Sequence, residues 1–150
     1  MISLLDVNLL IALAWPNHIH HALALDWFRR HHSSGWATCP VTQSGFVRVS
    51  SNRRVLGEAK TPREAIALLR QMARLPGHRF WTDDINLTED SPDFDTSRIQ
   101  GYRQVTDAHL LALALRNKGR LVTLDSGLRT LVPRDTETDN ALFVIAAAKS

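Results

Sequence analysis

Three carboxylates, Asp6, Asp107 and Asp125, are the groups through which this chain can do chemistry. Asp6 interrupts an apolar run that begins almost at the first residue, Met1-Ile2-Ser3-Leu4-Leu5-Asp6-Val7-Asn8-Leu9-Leu10-Ile11-Ala12-Leu13-Ala14-Trp15. Asp125 closes the segment Arg120-Leu121-Val122-Thr123-Leu124, and Asp107 follows Thr106 at the head of an apolar stretch. A charge placed at a sheet edge costs stability unless something makes use of it. Three oxygen donors, with no cluster of sulfur or imidazole, suit Mg²⁺ or Mn²⁺. Such an ion keeps positions open for water and phosphate, acidifies a bound water and neutralises charge during in-line attack on a phosphodiester. Without a cation the carboxylates repel one another and some hold protons more tightly. The plainer alternative is three unrelated aspartates serving as helix caps and loop solubilisers.

The elements that must position these groups alternate between strand and helix. Ile2, Leu4 and Leu5 read as a short buried strand, and Asn8 can cap a helix running to Ala14, before Pro16. His20 to His32 carries apolar residues at helical spacing, and Ser33-Ser34-Gly35 ends it. Trp36 to Val41 reads as a second strand, after which Thr42 can cap a helix bearing Phe46, Val47 and Val49. Thr61-Pro62-Arg63-Glu64 is a capping box with proline at the first helical position. Pro76-Gly77 stops that helix, Arg79-Phe80-Trp81 is a short strand, and Asp83 to Ser97 is an acidic loop. The helix containing Asp107 closes at Lys118-Gly119. Arg120 to Leu124 is a strand, Ser126 to Leu131 a short helix, and Ala141 to Ala147 a final strand.

This alternation argues for a parallel sheet covered on both faces. Asp6 and Asp125 then share the carboxyl edge, where open α/β sheets bind ligands. A helix feeding the next parallel strand is expected to begin at the opposite edge. Asp107 therefore joins the pair only if its helix starts near the carboxyl ends.

At 150 residues the chain suits one domain with a genuine core. No apolar run reaches the roughly 18–20 residues of a membrane span, and the start lacks the basic region of a secretory signal. Cys39 is the only cysteine, which excludes an internal disulfide and cysteine-built zinc sites and fits a reducing, cytoplasmic setting. The net charge of +3 and pI of about 9.6 are compatible with a nucleic-acid partner.

Leu5-Asp6-Val7-Asn8-Leu9-Leu10-Ile11-Ala12-Leu13 resembles the opening of PIN-domain ribonucleases, especially the VapC toxins of bacterial toxin–antitoxin pairs. Cys39-Pro40-Val41-Thr42-Gln43-Ser44-Gly45-Phe46-Val47-Arg48 resembles a second block of that family. Gln104-Val105-Thr106-Asp107-Ala108-His109-Leu110-Leu111-Ala112-Leu113-Ala114, followed by Gly119-Arg120-Leu121-Val122-Thr123-Leu124-Asp125, is the most specific match. The resemblance implies a single PIN-like nuclease domain over residues 1–150, a three-layer α/β/α fold with a central, mainly parallel sheet. It implies that Asp6, Asp107 and Asp125 hold Mg²⁺, for which Mn²⁺ can substitute, and that the Asp107 helix does begin at the carboxyl edge. Thr106 and Thr123 would orient ligands or water, and Asn8 would assist Asp6. It further implies cleavage of RNA, with a structured RNA such as tRNA as target, a homodimer, and neutralisation by a small VapB-like antitoxin.

Relatives commonly carry glutamate where this chain has Gln43. Glutamine keeps a carbonyl oxygen for a bound water but adds no charge. Weaker metal binding or a changed number of bound metals is the expected consequence, and the rival reading is a PIN-fold RNA-binding or protein-interaction module with weakened catalysis. A phosphoryl-transfer hydrolase with Asp6 as nucleophile is a third reading, but Asn8 stands where a second aspartate would be needed.

Among the remaining residues, Arg48 and the Arg53-Arg54 pair are candidates for phosphate contacts, with Arg29 and Arg30 behind them. His18, His20, His21, His31 and His32 read as parts of a solvated helix, because no pair shares its i, i+4 face. His109 is expected to wall the site, with a general-base role as the alternative. Trp15, Trp27, Trp36 and Phe46 read as core or dimer contacts. Asp83, Asp84, Glu89, Asp90, Asp93 and Asp95 read as a solvated loop.

Overall fold

Leu4 and Leu5 have no exposed surface, because the strand that holds them, β1 (Ser3–Leu5), is the middle member of a sheet. The computed structural model describes residues 1–89, 91–133 and 138–146. The remaining strands are β2 (Trp36–Thr38), β3 (His78–Phe80), β4 (Arg120–Thr123) and β5 (Leu142–Val144). They lie in the order β3-β2-β1-β4-β5, and every pairing is parallel. The expected architecture, a parallel sheet between two helical layers, is the one found.

One layer is made by α1 (Val7–Ala14), α2 (His21–His31), α3 (Pro40–Ser50) and α4 (Pro62–Ala73). It buries Leu9, Leu10, Trp27, Phe28, Phe46 and Leu69 against Leu5, Trp36 and Val122. The other layer is α5 (Val105–Arg116) with the 82–100 loop, packing Leu110, Leu111, Leu113 and Phe94 against Leu4, Ala37 and Leu121. Leu4 and Leu5 thus face opposite layers, as the period-two pleat requires. Among the described residues no helix is long and apolar enough to cross a membrane.

Local chemistry sets several boundaries as expected. The Thr61 hydroxyl accepts from Glu64 N, and the Glu64 carboxylate accepts from Thr61 N, completing the capping box of α4. Other boundaries differ. Asp6, not Asn8, caps α1: its extended backbone lets Oδ1 accept from Val7 N at 2.8 Å. Cys39, not Thr42, is the cap of α3; with Pro40 preset for the first helical position, Thr42 falls three residues on and its Oγ1 accepts from Cys39 N. Strand pairing stops at Thr38, Phe80 and Thr123, so Val41, Trp81 and Leu124 lie beyond the sheet. β5 is Leu142–Val144, and Ala147 lies outside the described residues.

The direction of α5 corrects the expectation drawn from strand order alone. Lys118 takes a left-handed φ of 54° at its end, and Arg120 N bonds to Ile2 O at the amino edge of β1. The helix descends antiparallel to the strands before the chain climbs again through β4, so its first turn lies at the carboxyl edge. A short crossover can be closed in no other way. Gly119 sits where the backbone is crowded: a Cβ there would stand 2.5 Å from Ile2 O and 2.7 Å from a ring carbon of Trp81.

Candidate active site

The strand order turns back on itself between β1 and β4, and at such a switch point the loops leaving two strands part and open a crevice. Asp6 leaves β1 and Asp125 follows β4, so both belong to this place. The register Leu5↔Val122 brings Asp6 and Thr123 level, with Asp6 N bonded to Val122 O at 2.9 Å.

Asp6 is 7% exposed. Its Oδ1 is taken by Val7 N, and its Oδ2 accepts from Thr123 Oγ1 at 2.7 Å. Burial pushes the Asp6 carboxyl up from its ordinary range, the Thr123 and Val7 bonds pull it back, and the charge of Asp125 raises it again. Asn8 spans the same crevice: its Nδ2 donates to Thr123 Oγ1 at 3.1 Å, and its Oδ1 accepts from Leu124 N at 3.2 Å. Asn8 thereby ties the start of α1 to the end of β4. Asp125 caps the 3₁₀ turn Ser126–Leu131, accepting from Gly127 N at 2.8 Å.

Asp107 lies in the first turn of α5, half-buried. Its carboxyl is pushed up to about 6, first by burial and then by the charges of Asp6 and Asp125. The structure therefore brings these three carboxylates into one field. Thr106, beside Asp107, is exposed. Among the described residues, no three His, Cys, Asp or Glu side chains converge closely enough to form a ready cage for a metal ion.

Carboxylates set this far apart suit a divalent cation held partly by water and substrate in preference to a tightly chelated one. Magnesium keeps several of its waters and is held by one or two carboxylates together with substrate phosphate. Asp6, Asp107 and Asp125 offer hard oxygen donors whose mutual repulsion a cation would relieve.

Gln43 projects from the second turn of α3. Gly45 lets this helix lie against the start of α1, since a Cβ there would stand 2.6 Å from a methyl of Val7. Gln43 Nε2 donates to Thr38 Oγ1 at 3.0 Å, and that hydroxyl lies 2.8 Å from His78 Nε2. Thr38 Oγ1 accepts from Gln43 and shares a second hydrogen bond with His78 Nε2, whose direction follows the imidazole tautomer. Burial lowers the pKa of His78, in keeping with a neutral ring. Neither Thr38 nor His78 stands out in the sequence, because the two meet across 40 residues of chain.

Other expected residues lie elsewhere. Arg48 is exposed in the last turn of α3, roughly 8 Å further along the helix axis than Gln43. Arg53 and Arg54 are exposed. Asp83 departs from the expected solvated loop: its carboxylate is 8% exposed and stands 2.7 Å from His109 Nε2. His109 thus turns toward the loop after β3, which occupies it structurally. Asp84 pairs with Arg116 at 2.6 Å, at the far end of α5 from Asp107. Asp90 lies outside the described residues. His21, His31 and His32 each bond a main-chain carbonyl through Nδ1, and the latter two stack on Trp27 and Phe28. They are parts of the packing, where a solvated face was expected. Trp27, Trp36 and Phe46 are core.

Comparison with known proteins agrees with this geometry. The PIN domain family matches residues 3–132. Ribonuclease VapC39 of Mycobacterium tuberculosis is 54% identical over 128 residues, 85% of this chain and 91% of that protein. Ribonuclease VapC38 of the same species is 50% identical over 143 residues, 95% and 99% of the two chains. Among solved structures, VapBC2 from Rickettsia felis bound to a DNA fragment from its promoter aligns with a TM-score of 0.53 over 86% of this chain and 92% of that one. At 11% identity this last likeness speaks to the fold. The chain belongs to the PIN-domain family and, within it, to the VapC-type ribonucleases.

Proposed function

We propose that this chain is a divalent-metal-dependent endoribonuclease that hydrolyses RNA phosphodiester bonds, leaving 5′-phosphate and 3′-hydroxyl ends. The observation that supports the reading is the grouping of three carboxylates about the sheet's switch point, Asp6 after β1, Asp125 after β4 and Asp107 in the first turn of α5. Asp6, Asp107 and Asp125 are the residues that would hold Mg²⁺ or Mn²⁺. When bound, such an ion supplies an acidified water and neutralises phosphate charge.

The chain's own residues do the positioning. Thr123 and Val7 fix the rotamer of Asp6 and favour its charged form. Asn8 locks the end of β4 to α1, so Asp6 and Asp125 keep their separation when substrate arrives. Gln43, oriented through its amide nitrogen by Thr38, presents its carbonyl oxygen for a water. Thr106 and Arg48 are proposed to contact RNA, Arg48 at a phosphate away from the cut. In keeping with VapC relatives, the further proposals are a structured RNA target such as tRNA, a homodimer, a VapB-like antitoxin and a cytoplasmic location.

The test is cleavage of a broad RNA panel by the pure chain with Mg²⁺ or Mn²⁺, beside Asp6→Asn. That variant keeps an acceptor for Val7 N while losing the charge. Cleavage falling roughly a hundredfold or more is the expected result. Persistence of cleavage in Asp6→Asn sinks the site assignment. Absence of cleavage by the wild type favours the non-catalytic binding module.

A further inference from the structure

Tyr102 is 81% exposed, the most exposed aromatic side chain among the described residues. It belongs to a 3₁₀ turn, Tyr102–Gln104, that runs without a break into α5 and so stands outside the first turn that carries Asp107. Five residues of such helix place it about 8–10 Å from Asp107 along the axis. That distance is within reach of a nucleotide neighbouring the one being cut.

The turn is held rigidly. Gln104 Nε2 donates to Thr130 Oγ1 at 2.9 Å, and Gln104 Oε1 accepts from Gln100 N at 2.9 Å. Thr130 Oγ1 in turn donates to Gly127 O, and Gly127 N donates to Asp125. A continuous run of bonds therefore ties the turn to the carboxylate site. The guanidinium carbon of Arg103 lies 5.8 Å from the Tyr102 ring centroid, and Arg103 Nε donates to Tyr102 Oη at 3.3 Å. An aromatic plane kept in water next to a cation, on a fixed rim of an acidic site, has no packing role in the fold. It has the form of a stacking platform: every base offers a π-face, and a neighbouring arginine meets the phosphate.

We propose that Tyr102 stacks an unpaired base of the RNA next to the scissile phosphate, with Arg103 holding the adjoining backbone. The proposal rests on the reading of the chain as a ribonuclease and assigns to Tyr102 and Arg103 the contacts by which an unpaired strand is held. In a duplex the bases are already stacked on one another and present no face to Tyr102.

The probe is a fluorescein-labelled, mixed-sequence, single-stranded oligoribonucleotide, titrated with the full chain in calcium buffer and followed by anisotropy, with a blunt RNA duplex as control. Tyr102→Ala should weaken single-strand binding about five- to a hundredfold. Tyr102→Trp should restore it, and neither variant should change duplex binding or the melting temperature. Equal single-strand affinity of Tyr102→Ala and wild type overturns the proposal while the ribonuclease reading stands. So does an equal loss for single strand and duplex, which would mark a general charge or structural effect. A wild type that cleaves RNA without binding the probe also overturns it. A wild type that neither binds the probe nor cleaves RNA removes the ribonuclease reading itself.

Discussion

Thr123 Oγ1 donates to Asp6 Oδ2 at 2.7 Å, joining residues 117 positions apart in the chain. The bond favours the charged carboxylate and so opposes the rise that burial imposes on Asp6. Thr123→Val keeps the shape of this fully buried side chain and removes the donor. The Asp6 carboxyl then moves further up, and the acid limb of the pH–rate profile shifts to higher pH. Activity at neutral pH falls, whereas Thr123→Ser retains the wild-type profile. The stability cost is about 1–3 kcal/mol, because the Asn8 amide and Asp125 N also lose their acceptor. An unchanged acid limb in Thr123→Val would show that this bond does not govern Asp6.

Asp107 makes stability depend on pH with a sign opposite to the usual carboxylate. Its folded-state value of about 6 lies above the ordinary 3.8, so the folded chain holds the proton more tightly than the unfolded chain. Stability from this group is present below the ordinary value and is lost as pH rises toward and through 6. Asp107→Asn should therefore melt higher than wild type above pH 6 and equally near pH 4. Discounted for its half-exposure, the gain is about 1 kcal/mol, or roughly 2–4 °C. Added Mg²⁺ should raise the wild-type melting temperature in the same range of pH and do less for the variant. Thermal scans across that range, with and without the ion, decide it.

Gln43→Glu tests the proposed place of position 43 at the site: it offers a fourth carboxylate but gives up the amide hydrogen that Thr38 now accepts. The expected gain is a several-fold lower Mg²⁺ concentration for half-maximal activity, on the order of the tenfold effects of ligand-shell changes. Titration of activity with the ion measures it. A half-saturation point identical to wild type would mean that position 43 does not face the metal.

The Asp83–His109 contact is assigned to the fold and not to chemistry. Asp83→Ala should lower stability by about 1–3 kcal/mol, by removing the buried carboxylate that faces His109 Nε2 at 2.7 Å. Cleavage per folded molecule should stay as in wild type. A selective loss of kcat in a well-folded Asp83→Ala chain would return His109 to the list of catalytic groups.

The sequence was most legible where structure is local. Thr61-Pro62-Arg63-Glu64 carries its own instructions, and α4 begins there. The choice between Asp6 and Asn8 as cap of α1 was not readable in the same way. Both residue types cap helices, and the decision is made by Thr123 and Leu124, which occupy the Asn8 amide from across the sheet. Strand ends show a related limit. Leu124 and Trp81 are good strand residues, but pairing ceases where the neighbouring strand ends, and composition does not record that. Asp6, Asp107 and Asp125 stood out because each is a charge set beside an apolar run. Their meeting depended on the downward path of α5, which is a property of the crossover. Asp83 and Thr38 carried no local mark at all, since their partners are His109, Gln43 and His78.

Gly119 lies at the edge of the sheet opposite the carboxylates, yet its lack of a side chain reaches them. Any β-carbon there would press on Ile2 O and Trp81 and lift the entry of β4 away from β1. Since β4 is a four-residue strand, it has no slack to absorb the displacement before Thr123. Gly119→Ala should thus behave as a remote lesion of the active site, loosening the hold on Asp6 from the far side of the molecule. Sensitivity to substitution in this chain will map onto strand register, and distance from the chemistry will be a poor guide to it.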